Sequence, residues 1–271
     1  YKKEEVYCGI EKPEGEGWSK DSDTFDTWFS SGQWPLLITG YPDGRDFKEF
    51  YPTDVMETGH DLIFKWIPRM VIFGLYLADK VPFHTVYLHG LVNDAQGKKM
   101  SKSKGNVINP LTLTEKYGTD ALRMTLVVGN TPGTDLALQE DRVKGYKNFA
   151  NKIWNIARFV MSQENSGELK KELVEEFDNL AKDITSDMDN YRFYLAAEKI
   201  YSYIWHRFAD EILEQSKKDP TLLSTVYYLL ENSLKLLHPF MPFITEEIWS
   251  SFAKASDGQA RNLLMIEPWP V

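Results

Sequence analysis

The stretch GKKMSKSKGN, from Gly97 to Asn106, places four lysines and two serines within ten residues. Lys98, Lys99, Lys102 and Lys104 each carry a compact charge on a flexible stem. Ser101 and Ser103 add hydroxyl donors, and Gly97 and Gly105 bracket the loop with residues that leave its backbone free to change shape. A solvated turn needs less charge than this. The pattern suits a triphosphate that grows more negative at its bridging oxygens as a bond breaks. Ammonium groups that close on it at that moment lower the barrier instead of merely holding the substrate. The GxxxxGK[ST] spacing of a Walker A loop is absent.

Other chemistry-bearing residues are scattered. Gly59, His60 and Asp61 lie at a loop-to-helix junction, where backbone amides suit anions and Asp61 either accepts bonds from hydroxyls or caps the helix. Trp28, Leu62 and Trp66 are large and apolar, and Leu62 and Trp66 stand four apart, as if on one helix face. Core packing accounts for such residues as well as a pocket does. His89 and Gly90 close a strand just ahead of the lysine loop. Arg142, Lys144, Lys147, Lys152 and Arg158 share one long helix, and Tyr191, Arg192, Tyr194, Trp205, His206 and Arg207 mix aromatic and polar groups further on. Cys8 and His238 have no partner at metal-ligand spacing, so the expected metal set is empty.

These residues need positioning elements. Residues 1 to about 50 are rich in Gly, Pro, Asp and Trp and read as short strands and loops around DTFDTWFSSGQWPL. Leu62, Ile63, Trp66, Ile67 and Met70 recur with helical spacing, with Pro68 marking a kink or an early first turn. HTVYLHGLV reads as a strand entering the loop. PLTLTEKYG and TDALRMTLVV read as short helices, the second capped by Thr119 or Asp120. Beyond Asp141 no strand is predicted. Val143, Tyr146, Phe149, Ala150, Ile153, Trp154, Ala157 and Val160 fall on one face of a long helix. SQENSGELKKE reads as a polar connection, and MDNYRFYLAAEKIYSYIWHRFADEILEQSK as a second long helix. Asp219 caps a helix that opens with Pro220, and Thr245 caps a short last helix. The fold class expected is therefore α/β followed by an all-α bundle.

The bulk numbers agree. The 271 residues carry a formal charge of −9 with 42% hydrophobic content, enough for a core and against an unspecialised nucleic-acid binder. A single cysteine excludes a disulfide framework and fits a reducing cytosol. No apolar run reaches the ~18 residues that span a bilayer, and YKKEEVYCGI is not a signal peptide. The start without Met reads as a cut from a longer protein.

KKMSKS, Lys98 to Ser103, resembles the KMSKS signature of class I aminoacyl-tRNA synthetases, and its flanks, GKKMSKSKGNVINP and EKYGTDALRM, follow in the order that family uses. DTFDTWFSS, YPTDVMETGHDLIFKWIPRM and LHPFMPFITEEIW are similar to the valyl branch; an isoleucyl enzyme reads closer to WFDSG where this chain has WFSSG. The family's His-Ile-Gly-His tetrapeptide and inserted editing domain are missing. The resemblance implies the second part of a Rossmann-like catalytic domain over 1–140 and a helical anticodon-binding domain over 141–271. It implies ATP and Mg²⁺ as cofactors, valine and tRNA(Val) as partners, a cytoplasmic monomer, and inactivity of this piece alone. Lys99 and Lys102 become the catalytic lysines, Lys102, Ser101 and Ser103 phosphate contacts, Gly59 and Asp61 ribose contacts, and His89 and Gly90 adenine contacts. Trp28, Leu62 and Trp66 become the side-chain pocket. Arg142, Lys144, Lys147, Lys152, Arg192 and Arg207 become tRNA contacts. The alternatives are an isoleucyl- or leucyl-type fragment and a non-catalytic tRNA-binding module.

Overall fold

The computed structural model describes residues 6–256 and 262–270. They divide into two compact units, Tyr1–Leu88 and His89–Val271.

In the first unit the expected strands near the start are three short helices, α1 (Thr27–Gly32), α2 (Trp34–Thr39) and α3 (Arg45–Phe50). Asp26 caps α1 by accepting the Trp28 amide, and Pro35 sits in the first turn of α2, where no amide partner is needed. Helices this short show no periodicity for sequence patterning to detect. Strand β1 (Thr53–Gly59), helix α4 (Trp66–Ala78) and strand β2 (Phe83–His89) follow. The Thr53 amide donates to Pro82 O at 3.0 Å, so the two strands start side by side with α4 as the crossover, a parallel arrangement. Met56, Ile67, Met70 and Phe83 form their core. Pro68 lies in the first turn of α4, as its spacing predicts, because that turn has amides to spare. Leu62 ends a separate 3₁₀ turn, His60–Leu62, so it and Trp66 do not share a helix face as expected.

The second unit opens with β3 (Val92–Asn93), the lysine loop, α5 (Pro110–Tyr117), α6 (Thr119–Val127) and β4 (Leu136–Ala137). β3 and β4 pair in parallel, Val92 with Leu136 and Asn93 with Ala137. The bundle is α7 (Glu140–Met161), α8 (Lys171–Asp189), α9 (Phe193–Ser202), a π-helical segment (Tyr203–Ile212) running into α10 (Leu213–Ser216), α11 (Leu223–Leu237) and α12 (Pro242–Ser256). Helix α8 occupies the ground between the two helices the sequence predicts. The second of those is broken at Tyr191, whose φ is +57°. On α7 the buried stripe is Val143, Phe149, Ile153, Ile156, Ala157 and Val160, whereas Trp154 is 36% exposed and faces out. Phe177, Ile184, Ile200, Phe208, Leu229 and Trp249 complete one continuous core from the other helices.

Helix α6 braces the turn between α11 and α12. Its N-cap is Gly118; neither Thr119 nor Asp120 has that place. Asp120 instead accepts the amides of Phe243 (3.2 Å) and Ile244 (2.7 Å), capping α12 from more than a hundred residues away. Arg123 donates to the carbonyls of Pro239 (2.9 Å) and Phe240 (3.3 Å), near the end of α11. One helix thus satisfies orphan groups at two helix ends. Burial pushes the Asp120 carboxyl above the usual range, with the two amides pulling the other way.

Thr245, expected as a cap, lies inside the first turn of α12. Its hydroxyl donates back to Met241 O at 2.9 Å. His238 Nδ1, 2.8 Å from that hydroxyl, is therefore the donor in their bond. Burial holds the His238 pKa below the ordinary value, with Glu246 and Asp120 opposing. A histidine whose folded pKa is depressed contributes stability above its unfolded pKa of ~6.5 and loses it as pH falls through the folded value. Denaturant unfolding at pH 7.5 and 5.5 tests this. His238→Gln is expected to show a shallower loss of stability on acidification than the parent, and an equal loss in the two proteins refutes the assignment.

Candidate functional site

The lysine loop hangs from β3. Asn93 bridges to Lys99 in antiparallel fashion, and the Asp94 amide donates to Lys98 O at 2.9 Å. Gly97 and Gly105 both take positive φ, 75° and 67°, which is the conformational freedom the sequence places there. Met100 turns inward, its sulfur 3.3 Å from the Ile108 amide. Ser101 and Ser103 face each other, hydroxyl to hydroxyl, at 3.0 Å. Lys102–Lys104 form a 3₁₀ turn with every residue exposed. Among the described residues, Lys98, Lys99, Lys102 and Lys104 enter no salt bridge, so their ammonium groups are available. Asp94 is buried. Its hydrogen bond from Asn106, then those from the Lys98 and Gln96 amides, hold its carboxyl below the usual range.

Gly90 has a packing reason. A Cβ there would lie 1.7 Å from Thr134 O, so the bare backbone makes room for the 134–135 segment. Asp135 then accepts the Leu91 amide at 2.8 Å. His89 Nδ1 sits 2.8 Å from Gly90 O and donates to it. On its Cβ side, then, the Gly90 backbone is packed by protein.

In the first unit, Trp66 Nε1 donates to Ser31 O at 2.8 Å, pinning the indole to the end of α1, and Arg69 lies 5.6 Å over the Trp28 ring. Trp28, Leu62 and Trp66 are all half-buried, and Asp61 is exposed beside the buried Gly59.

The basic residues divide sharply. Arg192 (2.8 Å) and Lys199 (2.7 Å) neutralise the buried carboxylate of Asp187. Arg207 pairs with Glu176 through two 2.7 Å bonds and reaches Glu211 as well. Arg142 donates to Val128 O at 2.8 Å. Of these carboxylates only Asp187 is buried, and removing a partner from a buried charge costs about 3–5 kcal/mol; the Arg207–Glu176 pair is part-exposed. Arg192, Arg207 and Arg142 are half-buried, and each already has a partner within the protein. Lys144 is exposed, and Lys147 is exposed with its ammonium 3.0 Å from Lys116 O.

A groove of about 470 Å³ lies between α7 and the helix formed by the π segment and α10. Asn148, Asn151 and Asn155 line one wall with Lys152 and Phe159, and Asp210, Leu213, Glu214 and Lys217 line the other. The asparagines recur at i, i+3 and i+7, so they form one stripe, and their amides bond no other described side chain or backbone group. Lys152 is fixed by Trp205 O (2.9 Å) and Asp210 (2.8 Å), 4.3 Å over the Trp205 ring. Lys217 pairs with Glu214 and lies 5.5 Å over Phe159. The lysines are therefore matched by acids, and the amides remain as the open recognition groups. π turns are rare and favour functional positions. Sequence reasoning missed this groove; the asparagine spacing on the polar edge of α7 is the signal that points to it.

A family model described as tRNA synthetases class I (I, L, M and V) matches residues 2–139, and one described as the anticodon-binding domain of tRNA ligase matches residues 170–271. The chain belongs to the class I tRNA synthetases. Similar curated proteins are the valine–tRNA ligase of Pelagibacter ubique, 44% identical over 93% of this chain and 31% of that protein, and the valine–tRNA ligase of Bacillus subtilis, 39% identical over 98% and 32%. The chain thus spans about a third of the length of these relatives. Its fold matches an Agrobacterium radiobacter LeuRS solved in a ternary complex with tRNA and LeuAMS, with a TM-score of 0.78 at 23% identity over 96% of this chain and 34% of that one. It also matches the Mycobacterium tuberculosis methionyl-tRNA synthetase in complex with methionyl-adenylate, with a TM-score of 0.69 at 22% identity over 89% and 55%.

Proposed function

We propose that this chain is the second part of the catalytic domain, residues 1–140, and the anticodon-binding domain, residues 141–271, of a valine–tRNA ligase that works in the cytoplasm. The single observation that carries the catalytic reading is the lysine loop: four exposed, unpaired ammonium groups on a segment tied at its base. In valine activation a carboxylate oxygen of valine attacks the α-phosphorus of ATP, the bond to the bridging oxygen breaks, and pyrophosphate leaves. Lys102, helped by Lys99, stabilises charge on the departing pyrophosphate. Ser101 and Ser103 contact the phosphates. Mg²⁺ would enter with ATP and would help neutralise the phosphate charge; among the described residues no group of three His, Cys, Asp or Glu is placed to hold it. Gly59 and Asp61 serve the ribose, and Trp28, Leu62 and Trp66 the valine side chain. Phe64, Ile72 and Tyr76, which are 86%, 63% and 82% exposed, are apolar surface suited to the remainder of a longer catalytic domain.

The asparagine groove is our candidate for the anticodon. An asparagine amide offers one acceptor and two donors, which match the edges of an unstacked base. Matched charges in the groove favour a neutral hydrogen-bonding ligand over a phosphate. Lys144 and Lys147, on the same helix, are left for the RNA backbone.

Valine-dependent pyrophosphate exchange tests the proposal. The full-length polypeptide containing this chain is expected to exchange with valine and far less with isoleucine, and the isolated 271 residues to show none above background. Clear exchange by the isolated chain, or isoleucine outpacing valine in the full-length protein, contradicts it.

A further inference from the structure

We propose that Asp94 and Asn106 form a latch that places Lys102, making both of them positioning residues for the activation step. This rests on the reading of the lysine loop given above. The two side chains meet at the base of the loop, Asn106 Nδ2 donating to Asp94 Oδ2 at 2.7 Å. Each also holds backbone. Asp94 Oδ1 accepts the amides of Gln96 (3.0 Å) and Lys98 (2.8 Å), and Asn106 Oδ1 accepts the amide of Ser101 (2.9 Å). The amide of Asn106 has one workable orientation, because the Ser101 N–H needs an oxygen and the Asp94 carboxylate needs a donor. The pair therefore ties the outgoing limb of the loop to the residue immediately before Lys102.

The surroundings divide the loop into fixed and movable parts. Asp94 is buried and Ser101, Asn106 and Met100 are half-buried, while Lys102, Ser103, Lys104 and Gly105 are exposed. The positive-φ glycines, Gly97 and Gly105, lie within the stretch that the latch closes. Both Asp94 oxygens already accept bonds, so the carboxylate serves as a brace and has no free role as a base. Without the latch the Lys102 backbone is released from the strand below it, and the ammonium no longer arrives where charge develops. A misplacement of about 1 Å costs on the order of 100-fold in rate.

The test exchanges the two groups in the full-length polypeptide. D94N sets two amide donors against each other, and N106D sets two carboxylates against each other. The double exchange D94N/N106D restores one donor facing one acceptor and keeps an oxygen for the amides of Ser101, Lys98 and Gln96. Each single substitution is expected to lower kcat for valine-dependent pyrophosphate exchange ~100-fold, and the double exchange to recover most of that loss. K102A combined with N106D is expected to be no slower than K102A alone, because the latch acts through Lys102. N106A, which only removes the tie, reports the same loss should N106D misfold, and melting temperatures show which variants are folded. Single variants at the parent rate, a double exchange as slow as the singles, or losses that multiply with K102A overturn the latch. An unsubstituted protein with no valine-dependent exchange counts against the ligase reading itself, a separate outcome.

Discussion

Lys102→Ala in the full-length polypeptide is expected to slow valine-dependent pyrophosphate exchange by ~10²–10³-fold, the effect of removing one cationic group from developing charge. The loss falls on kcat, with the apparent affinity for ATP little changed. The reason is geometric. The Lys102 ammonium is exposed on a 3₁₀ turn that ends in a positive-φ glycine, and no described carboxylate restrains it. A group held this loosely adds little to ground-state binding, and its charge becomes valuable when the pyrophosphate departs. Lys102→Arg is expected to recover only part of the rate, since a planar guanidinium presents its charge differently from a compact ammonium. Steady-state exchange kinetics over a range of ATP concentrations check both variants.

The second large effect lies far along the chain. Replacing Asn151 and Asn155 together by alanine is expected to lower kcat/KM for tRNA charging on the order of 100-fold, the loss of two amide contacts to base edges at ~1–3 kcal/mol each. Valine-dependent pyrophosphate exchange without tRNA is expected to be unaffected. Discrimination against tRNA with a substituted anticodon is expected to narrow in the same variant. The fold tolerates the change, because both side chains are exposed and bond nothing within the protein, while Ile153, Ile156 and Ala157 keep α7 in the core. Charging kinetics with matched and substituted tRNA decide it, and undiminished discrimination removes the groove from base reading.

Long periodic elements were legible in the sequence. The stripe through Val143, Phe149, Ile153, Ala157 and Val160 identifies α7, and Pro68 marks the early turn of α4. The loop chemistry was legible too, because Gly97, Gly105 and four lysines are a local pattern. What failed was whatever depends on distant partners. Asp120 has the look of a local cap yet serves α12, more than a hundred residues on. The carboxylate partners of Arg192 and Arg207, Asp187 and Glu176, are likewise not announced by local sequence. Helix α8 escaped because a narrow stripe of Phe177, Ala181 and Ile184 runs through a strongly acidic segment. The break at Tyr191 has no local cause, since a tyrosine is an uncommon residue at positive φ. The groove needs a π segment as its second wall, and no residue spacing announces one. Asp94 and Asn106 each look like an ordinary turn residue; only their meeting makes them a brace.

Single-turnover formation of valyl-adenylate, followed by rapid quench at several ATP concentrations, separates ATP affinity from the chemical rate in the parent and in Lys102→Ala. The account predicts that the rate constant for adenylate formation falls ~10²–10³-fold while the dissociation constant for ATP moves little. An unchanged rate constant with weakened ATP binding would contradict it, because Lys102 would then hold the nucleotide without easing the departure of pyrophosphate.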